Sequence, residues 1–401
     1  MMYDAIVVGG GPAGMFAAIT AARRGRKILL LERNDRLGKK LLITGKGRCN
    51  VTNDCDNTEV MKNIPRNGRF LFSALAACPT DKMMAFFEDA GCLLKTERGN
   101  RVFPASDRSQ SVLDALKKEL RLAGVTVKTG RVTDICEIPG GFSVTAGEAY
   151  TAENVVLATG GLSYPTTGST GDGYRMAQKL GHTITVCEGS LVPLEADADC
   201  ADMQGLSLRN VGVKLLDGKG KALYSDFGEL LFTHFGVSGP TVLSASAHMK
   251  GENCRLVIDL KPALDENKLD ERVLRDLGMY RNRAMENALT DLLPKSMIPV
   301  VLKRLGIDPS MQANALDKQK RRALVMLLKN FVVQITGKRP VDEAIITAGG
   351  IKVGEIDPKT MASKIVPGLY FAGEIIDCDA YTGGFNLQIA WATGYAAGMV
   401  I

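Results

Sequence analysis

YDAIVVGGGPAGMFAAITAARRGRKILLLER, residues 3–33, decides the fold. An apolar run, Ala5 to Val8, meets Gly9-x-Gly11-x-x-Gly14. A small-residue stretch of helical character follows, then a second apolar run from Ile28 and an acid, Glu32. Strand, glycines, helix, strand and acid in this order predict the βαβ start of a doubly wound domain that holds a dinucleotide. Gly9 permits the tight turn out of the strand. Gly11 lets backbone N–H groups approach a pyrophosphate, and Gly14 lets the helix sit close on the sheet. The anion then rests on the helix N-terminus at Pro12 and Ala13, where unpaired N–H groups and the dipole favour it. Glu32 is placed to accept hydrogen bonds from a ribose.

At 401 residues the chain is long enough for two or three domains, and its composition is that of an ordinary globular protein. No apolar stretch approaches the length of a membrane span, and MMYDAIVV lacks a basic region followed by a cleavable apolar segment, so a cytoplasmic location is expected. Nine cysteines without a CxxC predict free thiols. Three scattered histidines, His182, His234 and His248, predict no metal site. The formal charge of +6 is uneven: between Leu260 and Arg339 sixteen Lys and Arg stand against nine Asp and Glu. That segment reads first as a helical subdomain with a solvated basic face, and second as an attractor of acidic partners.

Residues 1–190 read as the first part of the dinucleotide domain. SDRSQSVLDALKKELRLAG (106–124) has helical apolar spacing, and VTVKTGRVTDI, GFSVTAG and AENVVLATGG read as return strands. From 191 to 260 the character is β-rich: NVGVKLLDGKGKALYSD has the alternation and turn of a hairpin, and RLVIDL is a further strand. Residues 261–335, with MENALTDLL, MIPVVLKRLG and KQKRRALVMLLKNFVVQI, read as helical. Residues 336–350 are expected to return a strand to the β-rich domain, and 351–401 to complete the dinucleotide domain.

Four further segments narrow the dinucleotide to FAD. In LGKKLLITGKGRCNVTN (37–53), the turn Gly45-x-Gly47-Arg48-Cys49-Asn50 offers backbone N–H groups, a fixed cation and amide donors near a flavin ring or its phosphates. LATGG (157–161), with Thr159 and Gly160, is a strand end that would close over the cofactor. STGDGYRMAQKLG (169–181) contributes Asp172. In GLYFAGEIIDCDAYTGGFNLQIAWATGYAAG (368–398) a strand delivers Gly373-Glu374, and a loop ending in Gly383-Gly384-Phe385-Asn386-Leu387 opens an apolar helix. The N-terminus of that helix would stabilise negative charge on the pyrimidine side of a reduced flavin.

TGKGRCNVTN, GELLFTHFGVSGP and GLYFAGEIIDCDAYTGGFNLQIAWATGYAAG together resemble the BaiN-like (YhiN-like) flavoproteins, a group that includes enzymes called aminoacetone oxidases. The resemblance covers essentially the whole chain. More distantly, TGDG and GLYFAGE…GGFN are similar to flavoprotein subunits of fumarate reductases. The resemblance implies an α/β architecture: a Rossmann-like FAD domain formed by both chain ends, an inserted β-barrel-like domain and a small helical domain. It places Gly9, Gly11, Gly14, Glu32, Arg33, Arg48, Cys49, Asn50, Gly160, Gly373, Glu374, Gly384 and Asn386 on the cofactor motifs. Lys39 and Gly45 flank them, and Val132 takes the backbone position beside the adenine.

FAD is expected to be non-covalent, because no histidine lies near the early motifs and Cys49 is the one thiol in the right loop. Catalytic candidates are Cys49, His234, Tyr164 and Tyr381. His234 lies at an expected strand-to-helix junction where Ser238 would cap and Pro240 would open the helix. The two tyrosines lie beside flavin motifs and can donate protons. The expected activity is FAD-dependent oxidoreduction of a small organic substrate, with hydride exchanged at flavin N5. Two directions stay open: reduction of an activated C=C bond such as a steroid or bile-acid enone, with NADH or NADPH as a transient donor, or oxidation of a small amine with oxygen as acceptor. No second GxGxxG unit is present. An alternative makes the basic segment an RNA-binding surface for RNA modification or redox sensing. Its few aromatics, Tyr280 and Phe331, weigh against nucleic acid.

Overall fold

Ala5–Val8 and Ile28–Leu31 are apolar on both faces, the mark of strands covered on both sides. In the computed structural model, which describes residues 2–249, 251 and 253–401, they lie in the parallel strands β1 (Tyr3–Val8) and β2 (Ile28–Glu32). Helix α1 (Pro12–Ala22) crosses between them and is buried along almost its whole length. Helix α2 (Ser109–Leu122) buries Val112, Leu113, Leu116 and Leu120 but leaves Leu122 exposed in its last turn. It feeds β3 (Thr126–Thr129), parallel to β2. Strands β4 (Asp134–Ile138), β5 (Gly141–Ala146) and β6 (Glu148–Leu157) then form an antiparallel meander that returns β6 beside β1. After α3 (Asp172–Lys179), the last strand, β7 (Leu369–Phe371), also pairs with β6, and α4 (Phe385–Gly398) packs on α1. The seven-stranded sheet runs β3-β2-β1-β6-β5-β4, with β7 on β6. Val8, Glu32, Leu157 and Phe371 end their strands at one edge of it.

This unit takes the chain up to Ser190 and again from Val341; the second unit is Leu191–Pro340. In the second, strands 194–196, 207–216, 222–233, 236–238, 255–259 and 331–338 close a six-stranded barrel. The hairpin at 207–233 turns through Asp217–Lys221.

Three expectations change here. Residues 341–350 belong to the first unit, because Ile346–Ala348 pairs with Glu188–Ser190 rather than with the barrel. FVVQI is a barrel strand, not the end of a helix: Phe331, Val333 and Ile335 point inward and Val332 and Gln334 outward, a period of two. The helices between 266 and 329 are not a separate subdomain, since Leu269, Val301 and Leu324 share one core with Val213, Leu256 and Phe331 of the barrel.

Candidate cofactor site

At the carboxyl edge of the sheet, where doubly wound folds bind ligands, a long cleft opens inside the first unit. Its centre is the glycine turn. Gly9 has φ +111°, and a Cβ there would lie 2.4 Å from the Ala158 carbonyl oxygen. A Cβ on Gly14 would stand 1.9 Å from the Gly9 oxygen, so the helix can approach only as glycine. Gly11 differs: a Cβ there would meet nothing within 4 Å and would fill the cleft itself. Helix α1 starts from Gly11 without a side-chain cap and with Pro12 at its first position. Its first-turn N–H groups are left for an anion.

Glu32 closes the turn from below. It is buried, and its Oε2 accepts from the Gly10 N–H at 2.7 Å while Oε1 accepts from the Asn34 backbone and side chain at 2.8 and 2.7 Å. Beyond it, Gly130, Arg131 and Val132 line the cleft where the chain leaves β3. Asp172, the first residue of α3, holds three guanidinium groups: Arg33 at 3.1 Å, Arg131 through two contacts at 2.9 and 3.1 Å, and Arg175. Asp172 thus acts on this end through the arginines, with its own carboxylate taken up by them.

On the other side of β1, Lys40 Nζ lies 2.6 Å from both Ser163 Oγ and Glu374 Oε2. Glu374 Oε1 also accepts from Ser163 Oγ at 2.9 Å and from the Thr347 N–H at 3.0 Å. Thr159 lines the cleft, and its Oγ1 is buried with no hydrogen-bond partner among the described residues. At the far end, Leu387, Ile389 and Ala390 of α4 line the cleft with Cys378. Helix α4 also starts uncapped, from Gly384 in a left-handed conformation. An open glycine cradle, an orphaned hydroxyl and uncapped helix N-termini at the centre and the far end of one long cleft fit a dinucleotide that carries a ring.

The cleft brings together Gly9, Gly11, Pro12, Ala13, Glu32, Arg33, Lys39, Val132, Thr159, Gly160, Asp172, Gly373, Glu374, Asn386 and Leu387. Gly14 stands behind the turn. Lys39 also pairs with Asp35 at 3.1 Å. The Asn386 side chain is spent on the preceding loop, bonding Ala380 through both its oxygen and its nitrogen.

Others do not reach the cleft. In the 44–50 turn the Arg48 and Cys49 N–H groups close onto the Gly45 and Thr44 oxygens, so they are not offered outward. Arg48 turns away to Glu97 and Asp107 and stacks on Phe103. Gly45 and Asn50 belong to the same closed turn. Cys49 is fully buried, and burial pushes its thiol up to about 12, which removes it as a nucleophile or redox thiol. Phe385 is a core side chain, and Gly384 serves the fold, since a Cβ there would lie 2.3 Å from the Thr52 backbone. Tyr164 and Tyr381 do not line the cleft. His234 lies in the second unit, exposed in the turn before strand 236–238; Gly239, not Ser238, starts the helix at Pro240.

Sequence reasoning missed Lys40, Ser163, Thr347 and Arg131. Lys40 follows Lys39 in the same short helix, and about 100° of helix rotation separates a residue facing Asp35 from one facing Glu374. The other three lie between motifs and carry no local signature.

The HI0933-like protein Rossmann domain model matches residues 3–400. The chain is 32% identical over 401 residues to a 3-dehydro-bile acid Δ(4,6)-reductase of Clostridium scindens, covering 98% of this chain and 97% of that one. It is 31% identical to a ribosomal RNA dihydrouridine synthase of Escherichia coli, covering 98% and 96%. In fold it is similar to a 3-ketosteroid Δ1-dehydrogenase of Sterolibacterium denitrificans, with a TM-score of 0.51 at 14% identity over 99% and 98% of the two chains. The chain belongs to the HI0933-like family of FAD-dependent oxidoreductases.

Proposed function

We propose that this protein reduces a C=C bond conjugated with a carbonyl group, with NADH or NADPH as electron donor. The observation that carries the reading is the pair of relatives matched along nearly their full lengths. A Δ(4,6)-reductase and a dihydrouridine synthase both add a hydride and a proton across a conjugated C=C bond. Amine oxidation finds no counterpart in either name.

Bound FAD supplies hydride transfer. The chain's own residues hold and tune it. The first turn of α1 and the glycine cradle bind the pyrophosphate, Glu32 takes the ribose, and Arg33 and Arg131 cover the adenosine end. The N-terminus of α4 favours the negative charge that reduction creates.

In the leading reading the acceptor is a small enone. A second reading, a uracil ring in RNA, is supported by the E. coli relative and by the basic stretch of the second unit. There Arg281, Lys295, Lys318 and Arg322 are exposed and have no carboxylate partner among the described residues. The test supplies the holoprotein and NAD(P)H anaerobically with a 4-en-3-one steroid or with unmodified ribosomal RNA. A steroid that gains two hydrogens supports the enone. Dihydrouridine, together with salt-sensitive RNA binding, supports RNA. If neither acceptor is reduced while a primary amine is oxidised, the proposal fails.

A further inference from the structure

We propose that Lys40 presents its ammonium to the redox-active half of FAD, and that Glu374, Ser163 and Thr347 form the frame that aims it. The inference goes beyond the substrate reading and holds for either acceptor.

Four chain segments meet here. Lys40 comes from the short helix Lys39–Ile43, Ser163 from the loop after β6, Thr347 from the strand Ile346–Ala348 and Glu374 from the 3-10 turn Gly373–Ile375 just beyond β7. Glu374 is satisfied within the frame, by Lys40 and Ser163 and by the Thr347 N–H. The frame is itself braced, because Thr347 Oγ1 accepts from the Leu162 and Ser163 N–H groups at 2.8 and 3.1 Å. Ser163 and Thr347 are buried, and the Lys40 side chain keeps 20% of its exposure. An ammonium has three N–H donors. Two point to Ser163 and Glu374, no described residue takes the third, and Lys40 lines the cleft.

Position decides which part of the cofactor meets that charge. Glu32 and Arg131 belong to the β2 and β3 side of β1, whereas Glu374 leaves β7 on the β6 side. Gly373 touches the phosphate cradle, since a Cβ there would lie 2.8 Å from Ala13 Cβ. The ammonium therefore sits on the β6 and β7 side of the glycine cradle, away from the adenosine end. An ion pair is a poor device for merely pinning chain segments, because desolvation offsets its attraction. A cation held against developing negative charge stabilises the reduced cofactor more than the oxidised one. Glu374 is then a positioning residue that also moderates the cation.

The two charges make opposite predictions, which a purely structural role cannot do. The midpoint potential of the bound flavin is measured against a reference dye in wild type, Lys40→Met, Lys40→Arg and Glu374→Gln, with FAD affinity at low and high salt alongside. Lys40→Met is expected to weaken reduced relative to oxidised FAD at least tenfold, a fall of about 30 mV for a two-electron couple. Glu374→Gln, which uncovers the cation, is expected to raise the potential, and Lys40→Arg to hold it near wild type. Shifts of the same sign in Lys40→Met and Glu374→Gln, or none in either, overturn the proposal. So does a Lys40→Met effect confined to salt-sensitive FAD affinity, which would place the ammonium on the pyrophosphate. If Lys40→Met loses FAD on purification, an unchanged potential in Glu374→Gln overturns it equally.

Discussion

Gly11 and Gly14 stand three residues apart and answer a methyl group in opposite ways. Gly14→Ala drives a Cβ into the Gly9 carbonyl oxygen, where only backbone can yield. It is expected to cost about 1–3 kcal/mol of stability. Gly11→Ala meets open space at a φ of −80° that alanine adopts freely. It should fold as well as wild type, or gain about 0.4–1 kcal/mol through the unfolded chain, while losing at least tenfold in FAD affinity. Thermal melts of the apoproteins with FAD titration separate the two. Equal FAD binding in Gly11→Ala and wild type would remove the cradle assignment.

Cys49 gives the complementary test. Burial holds its thiol near 12, so thiolate is scarce at any pH where the fold persists. Thiol labelling of the native protein at pH 8 should spare Cys49, and Cys49→Ala should leave the rate of flavin reduction within about twofold. Rapid labelling would contradict the burial.

Residues tied to backbone geometry were legible in the sequence, because a glycine turn has one physical solution. The direction of a long side chain was not. Arg48 and Lys40 both lie in the loop read as cofactor-facing, and what separates them is where their acids sit: Glu97 and Asp107 for one, Glu374 for the other. Those partners come from distant segments that periodicity does not connect.

Among the elements, α3 depends on one carboxylate at its start. Asp172→Asn leaves Arg33, Arg131 and Arg175 facing one another, and their exposure lets water relieve part of the repulsion. The expected result is a modest fall in melting temperature and an FAD affinity reduced several-fold, read by titration of the apoprotein. Unchanged affinity would detach the arginines from the adenosine end.

His182 governs a second local device. Its side chain is buried, with Nε2 2.8 Å from Ser363 Oγ and Nδ1 3.3 Å from Glu355. Burial lowers its pKa below 6.5 against the opposing pull of Glu355. The folded state therefore binds fewer protons than the unfolded one as pH falls through 6.5, and stability is lost in that direction. Melting temperature should drop between pH 7 and 5, and His182→Gln should flatten the slope. A steeper slope in the variant would reverse the sign.

Strands β1, β2 and the end of β6 announced themselves by unbroken apolar runs. The strand 331–338 was misread because Lys318–Lys329 ahead of it is a true helix and only Asn330 separates the two. The signal was present in the inward Phe331, Val333 and Ile335, but a helical run just upstream masks a change of period.

At the scale of the molecule, the second unit is one uninterrupted stretch whose entry and exit adjoin. Leu194 pairs with Lys338, and the Arg339 N–H reaches the Pro193 oxygen at 3.0 Å. The residues lining the cleft all come from the first unit. Replacing 191–340 by a short flexible linker between Ser190 and Val341 should therefore leave a protein that binds FAD. A refolded deletion variant without flavin affinity would refute the division of labour. The two-part origin of the FAD unit was legible because its motifs stand at both chain ends. The exit point was not, since strand Ile346–Ala348 is too short to declare its partner.

Whether the bound flavin passes its electrons to a conjugated C=C bond is read from the flavin band itself. The holoprotein is reduced anaerobically with one equivalent of NADH or NADPH, then mixed with a conjugated enone or a uracil-containing acceptor. The oxidised band is expected to return, with one C=C bond saturated per flavin reoxidised. A band that stays bleached with every conjugated acceptor and returns only when oxygen is admitted would contradict it, and would make the protein an oxidase.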